Sequence, residues 1–154
     1  MSTTAARDRH RLGSPRRCAG VSLVEVLVAL LVLSIGLLGL ANLQLTAIRN
    51  AHSAHLRSQA SILAQDILDR IRANRANATA YAIDLAASPP TGSTLPEQDL
   101  SAWLGSLAAN LPDGDGAVAV TAGTPTTVTV TIQWNDSRGL DGDSTQQWQY
   151  VTQL

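Results

Sequence analysis

From Val21 to Leu45 the chain runs 25 residues, VSLVEVLVALLVLSIGLLGLANLQL, with one charge, Glu25; the next charge is Arg49. A stretch of this length and apolarity is long enough as a helix to cross a hydrocarbon core of about 30 Å. It is also apolar all round, so a helix made of it has no solvated face. An ionised carboxylate costs about 2.5–3.5 kcal/mol at the centre of a membrane helix and less near an end. Glu25 is therefore either an acid held at the interface or half of a contact with a cation.

Three readings of the stretch compete. It is a secretory signal peptide cut after Gly39-Leu40-Ala41, a plain membrane anchor, or an anchor cut ahead of the apolar run at Gly20-Val21. Charge orients it. Residues 1–20 hold five arginines (Arg7, Arg9, Arg11, Arg16, Arg17) against one acid, whereas only Arg49 and Arg57 come soon after the segment. The excess of arginine before the segment places the N-terminus in the cytoplasm and the downstream chain on the opposite side.

Helical periodicity does not stop at Ala41. Leu45, Ile48, His52, Leu56, Ala60, Leu63, Ile67 and Ile71 recur at steps of three and four, and no proline occurs between Val21 and Ser88. Asp66 and Arg70 form a helix-favouring pair four residues apart. One helix from about Val21 to about Arg75, on the order of 80 Å long, makes an anchor that runs into a head, which a cleaved signal peptide does not. Gly36 and Gly39 lie inside the apolar run, either as ordinary membrane-helix glycines or as a place where the helix loosens.

Beyond the helix, AASPPTGSTLP (Ala86–Pro96) is a loop. A second helix is expected from about Glu97 to Asn110, with Leu100, Trp103, Leu104, Leu107 and Leu111 on one face. Val118 and Val120 alternate with alanines as a strand. Val128, Val130, Ile132 and Trp134 alternate with threonines and Gln133 as another, and Gln147–Leu154 closes the chain with Trp148 and Tyr150 on one face. The expected fold is α+β, a long helix packed on a small antiparallel sheet. Its divisions are a basic leader (1–20), an apolar helix (21–45), an amphipathic continuation of that helix (46–85) and a globular head (86–154).

Composition excludes several functions. Residues 21–154 carry six arginines against eleven acids, so the body is not a nucleic-acid binder. The single cysteine, Cys18, sits in the leader and allows no internal disulfide. His52 and His55 lie one turn apart without an acid or cysteine at ligand spacing, and read as a polar helix face rather than a metal site. Asp113-Gly-Asp115-Gly and Asp141-Gly-Asp143 read as turn chemistry or as weak calcium loops. The three tryptophans fall on the apolar phase of their elements. Asp66, Arg70, Arg72 and Arg75 make either a solvated helix face or a contact with other subunits. No nucleophile elbow, metal box or phosphate loop is present, so no enzymatic activity, cofactor or metal is expected.

The run GVSLVEVLVALL (Gly20–Leu31) resembles the signal of type IV prepilins, in which a basic leader ends in glycine and glutamate is the fifth mature residue. The resemblance implies cleavage by prepilin peptidase between Gly20 and Val21, N-methylation of Val21, and a pairing of Glu25 with the terminal amine of a neighbouring subunit. The family more often has Phe or Met where this chain has Val21. LAQDILDRIRANR (Leu63–Arg75), the helix around Trp103, and VTVTIQWNDSRG (Val128–Gly139) resemble the type IV pilus modification family of minor pilins, PilV. That resemblance implies a structural subunit of the inner membrane and then the pilus. Its partners would be prepilin peptidase, the major pilin, other minor pilins, the inner-membrane assembly platform and, before assembly, membrane lipid. A type II secretion pseudopilin shares the signal and helix. A periplasmic binding protein with a conventional signal peptide is the alternative from another class.

Overall fold

The computed structural model describes residues 20–139 and 142–154. Residues 1–19 of the leader with Cys18, and Asp141 of the second Asp-Gly loop, lie outside the described residues. The elements run α1 (Leu23–Ala73), a 3-10 segment (Arg75–Tyr81), α2 (Leu95–Asn110), β1 (Asp115–Thr121), β2 (Thr127–Trp134) and β3 (Gln146–Gln153). The chain divides into two compact units, before and after Leu40.

Within the first unit α1 is regular through Gly36 and Gly39, and a methyl group at either glycine would meet open space. Its large apolar side chains are exposed, Leu23 at 78% and Leu38 at 72%, and the helix is long and apolar enough there to cross a membrane.

In the second unit the later part of α1 buries Ser53, Leu56, Ala60, Ala64, Ile67, Leu68 and Ile71, one stripe at helical spacing. The expected stripe is present from Leu56 onward. Leu45 and Ile48, on the same phase, stay exposed, so burial of the helix begins at Ser53.

The amphipathic helix does not continue to residue 85 as expected. α1 ends at Ala73, where Asn74 leaves helical geometry (φ −115°, ψ 41°), and a kinked 3-10 segment comes next, with Asn77 also non-helical. The Asn77 amide donates to Asn74 Oδ1 (2.8 Å), the local competition with helix that asparagine supplies. Leaving the helix carries Tyr81 into full burial and brings Ile83 to β1, where it exchanges two backbone hydrogen bonds with Val118 (2.9 and 2.8 Å).

α2 starts two residues before the expected Glu97. Thr94 is the cap, Pro96 sits in the first turn, and the Glu97 carboxylate accepts from the Thr94 backbone N–H at 2.9 Å. The Thr94 hydroxyl, and then its backbone N–H, hold the Glu97 carboxyl below the usual range. Leu100, Trp103, Leu104 and Leu107 are buried, the face expected from their spacing. The Trp103 indole donates to the Leu63 carbonyl at 2.9 Å, fastening α2 to α1.

The sheet is antiparallel in the order β1-β2-β3, with Val118 opposite Val130 and Ile132 opposite Trp148. Central strand β2 buries Val128, Val130, Ile132 and Trp134 completely and turns Thr127, Thr129, Thr131 and Gln133 the other way. Gly116 lets β1 lie on the Trp103 ring, since a β-carbon there would collide with it. On edge strand β3, Trp148 and Tyr150 are only half-buried, their rings 5.8 Å apart. Trp148 therefore flanks the core, whereas Trp103 and Trp134 build it.

Candidate cleavage and assembly site

Gly20, Val21 and Ser22 are non-helical, and Gly20 and Val21 are exposed. The Ser22 carbonyl accepts the Val26 N–H (3.2 Å) in the first turn of α1. The peptide bond between Gly20 and Val21 is thus accessible backbone immediately ahead of a helix. Among the described residues no atom would obstruct a β-carbon at Gly20, so their packing does not require glycine there.

Glu25 lies in the first turn of α1, where the leading N–H groups have no helical acceptor. A carboxylate there interacts favourably with the helix dipole by about 0.3–1 kcal/mol. Apart from this dipole, Glu25 meets no cation among the described residues.

The head holds a polar cluster whose members lie far apart in sequence. Asp66 and Arg70 pair as their spacing predicts, but Arg70 also reaches Asp99 of α2 (3.3 Å), and Asp99 accepts the Tyr81 hydroxyl at 2.7 Å. Asn74 donates to the same hydroxyl (3.4 Å). Arg70 is therefore not a residue of a freely solvated face: it joins α1 to α2 and keeps only its flank in water. Asp66 first, then Asp99, hold its guanidinium in the charged form against the opposing effect of burial. Arg72 pairs with Asp69 (2.8 Å) and stays exposed. Asp99 and Tyr81 carry no visible signal in the sequence, because each is one polar residue in an unremarkable local pattern and their meeting spans 18 positions.

Burial, and then the bond to Asp99, push the Tyr81 phenol above its ordinary value. A phenol that ionises less readily folded than unfolded contributes stability that is complete below about pH 10 and is lost as pH rises further. Tyr81→Phe is expected to cost about 1 kcal/mol at neutral pH and to flatten the alkaline fall. Denaturant midpoints measured from pH 8 to 11 check both effects.

The turn chemistry at the other end of the head uses the acids considered for calcium. Asp113 accepts from the Asn135 amide (3.0 Å) and Asp143 from the Thr145 N–H (2.9 Å). Among the described residues no three His, Cys, Asp or Glu side chains are grouped to hold a metal, and His52 and His55 remain a polar part of α1. A shallow cavity of about 240 Å³ is lined by Pro112, Asp113, Asn135, Ser137 and Arg138. Beneath it, Gly139 allows the turn to rest on Ser53 of α1, since a β-carbon there would strike both Ser53 Oγ and the Asp136 carboxylate.

Two family models match the chain. Residues 15–41 match the Prokaryotic N-terminal methylation motif, a span that holds Arg16 and Arg17 at the end of the leader, Gly20-Val21 and Glu25. Residues 42–99 match Type IV pilin Tt1218. That segment is similar to a type IV pilin. The pilin match covers the later part of α1, the 3-10 segment and α2 as far as Asp99, so it includes the whole Asp66–Arg70–Tyr81–Asp99 cluster. The sheet lies beyond both matches. No curated protein and no solved structure matches the chain. A long helix packed on a three-stranded antiparallel sheet is consistent with the pilin-like fold, and the apolar helix with its methylation motif fits membrane anchoring before assembly.

Proposed function

We propose that this chain is a minor pilin of a type IV pilus, close in character to the type IV pilus modification family PilV. It is made as an inner-membrane prepilin with its head on the periplasmic side. Prepilin peptidase cuts between Gly20 and Val21, Val21 is N-methylated, and α1 then packs among the major pilin and other minor pilins through the assembly platform. The role is structural rather than enzymatic.

One observation carries the reading: an exposed, non-helical Gly20-Val21 bond stands directly before a helix whose first turn holds Glu25, without an ion pair among the described residues, inside the segment matched by the methylation motif. The free space beside Gly20 supports an external demand for glycine, as a peptidase cleft would impose. Cleavage also creates a cationic amine at Val21 where an amide stood, which is the charge Glu25 lacks.

Mass spectrometry of the mature N-terminus tests this. The expected start is N-methyl-Val21; a start at Asn42 overturns the reading in favour of a secreted protein. A secretion pseudopilin gives the same N-terminus, and deletion separates the two, since the proposed pilin changes fibres while a pseudopilin abolishes export.

A further inference from the structure

Just past the apolar run, α1 carries Arg49, His52, His55 and Arg57, and no acid occurs between Glu25 and Asp66. Arg49, His55 and Arg57 are exposed and His52 is half-buried. The nearest acids on the helix are already engaged, Asp66 with Arg70 and Asp69 with Arg72. Among the described residues none of the four basic side chains forms an ion pair.

At about 100° per residue the four side chains spread over about 200° of the helix circumference. The buried stripe that starts with Ser53 and Leu56 runs between them, so Arg57 emerges on one flank of the head and His52 and His55 on the other. A protein partner approaching from the side would engage one flank. Lipid headgroups surround a helix, and a collar open on both flanks fits them.

Height along the helix agrees. At 1.5 Å per residue Arg49 lies about 6 Å and Arg57 about 18 Å beyond Leu45. The polar zone of one leaflet is about 5–8 Å deep. Arg49 therefore stands at headgroup level, and the flexible stem of Arg57 brings its guanidinium back to within about one Debye length of the phosphates.

We propose that Arg49, His52, His55 and Arg57 form a collar that binds the phosphodiester headgroups of anionic phospholipids in the leaflet nearest the head. This rests on the membrane-anchored stage of the function proposed above. Arg49 supplies charge and bidentate donors at headgroup level and His52 a ring N–H donor just above it, while Arg57 adds charge and His55 polarity from farther out. The collar sets the depth of α1 and holds the head against the membrane until assembly removes the chain from lipid.

The test is electron spin resonance of the full chain reconstituted in phosphatidylcholine bilayers with trace spin-labelled phosphatidylglycerol or phosphatidylcholine. A preference for phosphatidylglycerol of roughly two- to threefold, averaged over the first lipid shell, is expected at low salt. In the Arg49→Gln/Arg57→Gln double variant it falls by about half or more, while the restricted phosphatidylcholine fraction and the helical circular dichroism stay unchanged. The variant keeps all five leader arginines, so an unchanged preference assigns selectivity to the leader and overturns the proposal. A variant that keeps the preference but loses self-association assigns the collar to a neighbouring acidic protein surface, and also overturns it. Restricted lipid of neither kind removes the membrane-anchored reading itself, and the collar with it.

Discussion

Glu25→Ala is expected to leave the chain in the membrane and out of the fibre. In the proposed assembly the carboxylate meets the N-terminal amine of a neighbouring subunit. Opposite charges about 4 Å apart attract by about 4 kcal/mol at an effective dielectric near 20. The cost of keeping the acid in lipid, about 2.5–3.5 kcal/mol at mid-helix, is of similar size. Docking therefore relieves a penalty as well as forming a pair. Alanine removes both and leaves the partner's amine without its counter-charge in an apolar setting. Anchoring should improve slightly, whereas incorporation should fall by orders of magnitude, because each 1.4 kcal/mol is about a factor of ten. Immunoblots of sheared fibres and of membranes measure the partition. A variant that enters fibres at the native level overturns the pairing, while leaving cleavage at Gly20 to be judged by its own mass.

Trp103→Ala is expected to be the most damaging single change in the head. Its side chain is fully buried, its indole N–H donates to the Leu63 carbonyl, and β1 lies against its ring at Gly116. Truncating a buried tryptophan costs about 3–5 kcal/mol, a large share of the roughly 5–15 kcal/mol typical of a whole domain. The thermal midpoint of the head, followed by near-ultraviolet circular dichroism in detergent, should fall by at least about 10 °C. Trp103→Phe keeps most of the packing and loses the hydrogen bond, so it should cost much less. If the two variants fall equally, the Leu63 hydrogen bond rather than the packed ring joins α2 to α1.

The periodic elements were legible because their burial tracks local spacing. Leu56, Ala60, Ile67 and Ile71 on α1, Leu100 through Leu107 on α2, and the alternation of β2 each repeat with the period of their own backbone. The end of α1 at Ala73 falls within two residues of the expected Arg75, but the course of the chain after it was not legible. Residues 74–85 contain no proline, and helix and turn differ there by small local preferences. Burial of Tyr81, bonded to Asp99 of α2, and pairing of Ile83 with Val118 of β1 tip that balance, and both depend on elements that come later in the chain. The weight of Asp99 was hidden for the same reason.

The candidate site shows the same division. The basic leader, Gly20-Val21, Glu25 and the apolar run are contiguous, and the function proposed for them is that of a linear signal read by an external enzyme and a membrane. Sequence alone therefore determined the apolar run, the expected cut ahead of it and the acid in its first turn. Only the tertiary structure decided where α1 begins to bury its stripe, at Ser53, and that Arg49, His52, His55 and Arg57 emerge around that stripe. The physical reason is range: transfer into lipid depends on what each residue is, whereas burial, hydrogen bonding and charge pairing in the head depend on which distant residues the fold brings within a few ångströms.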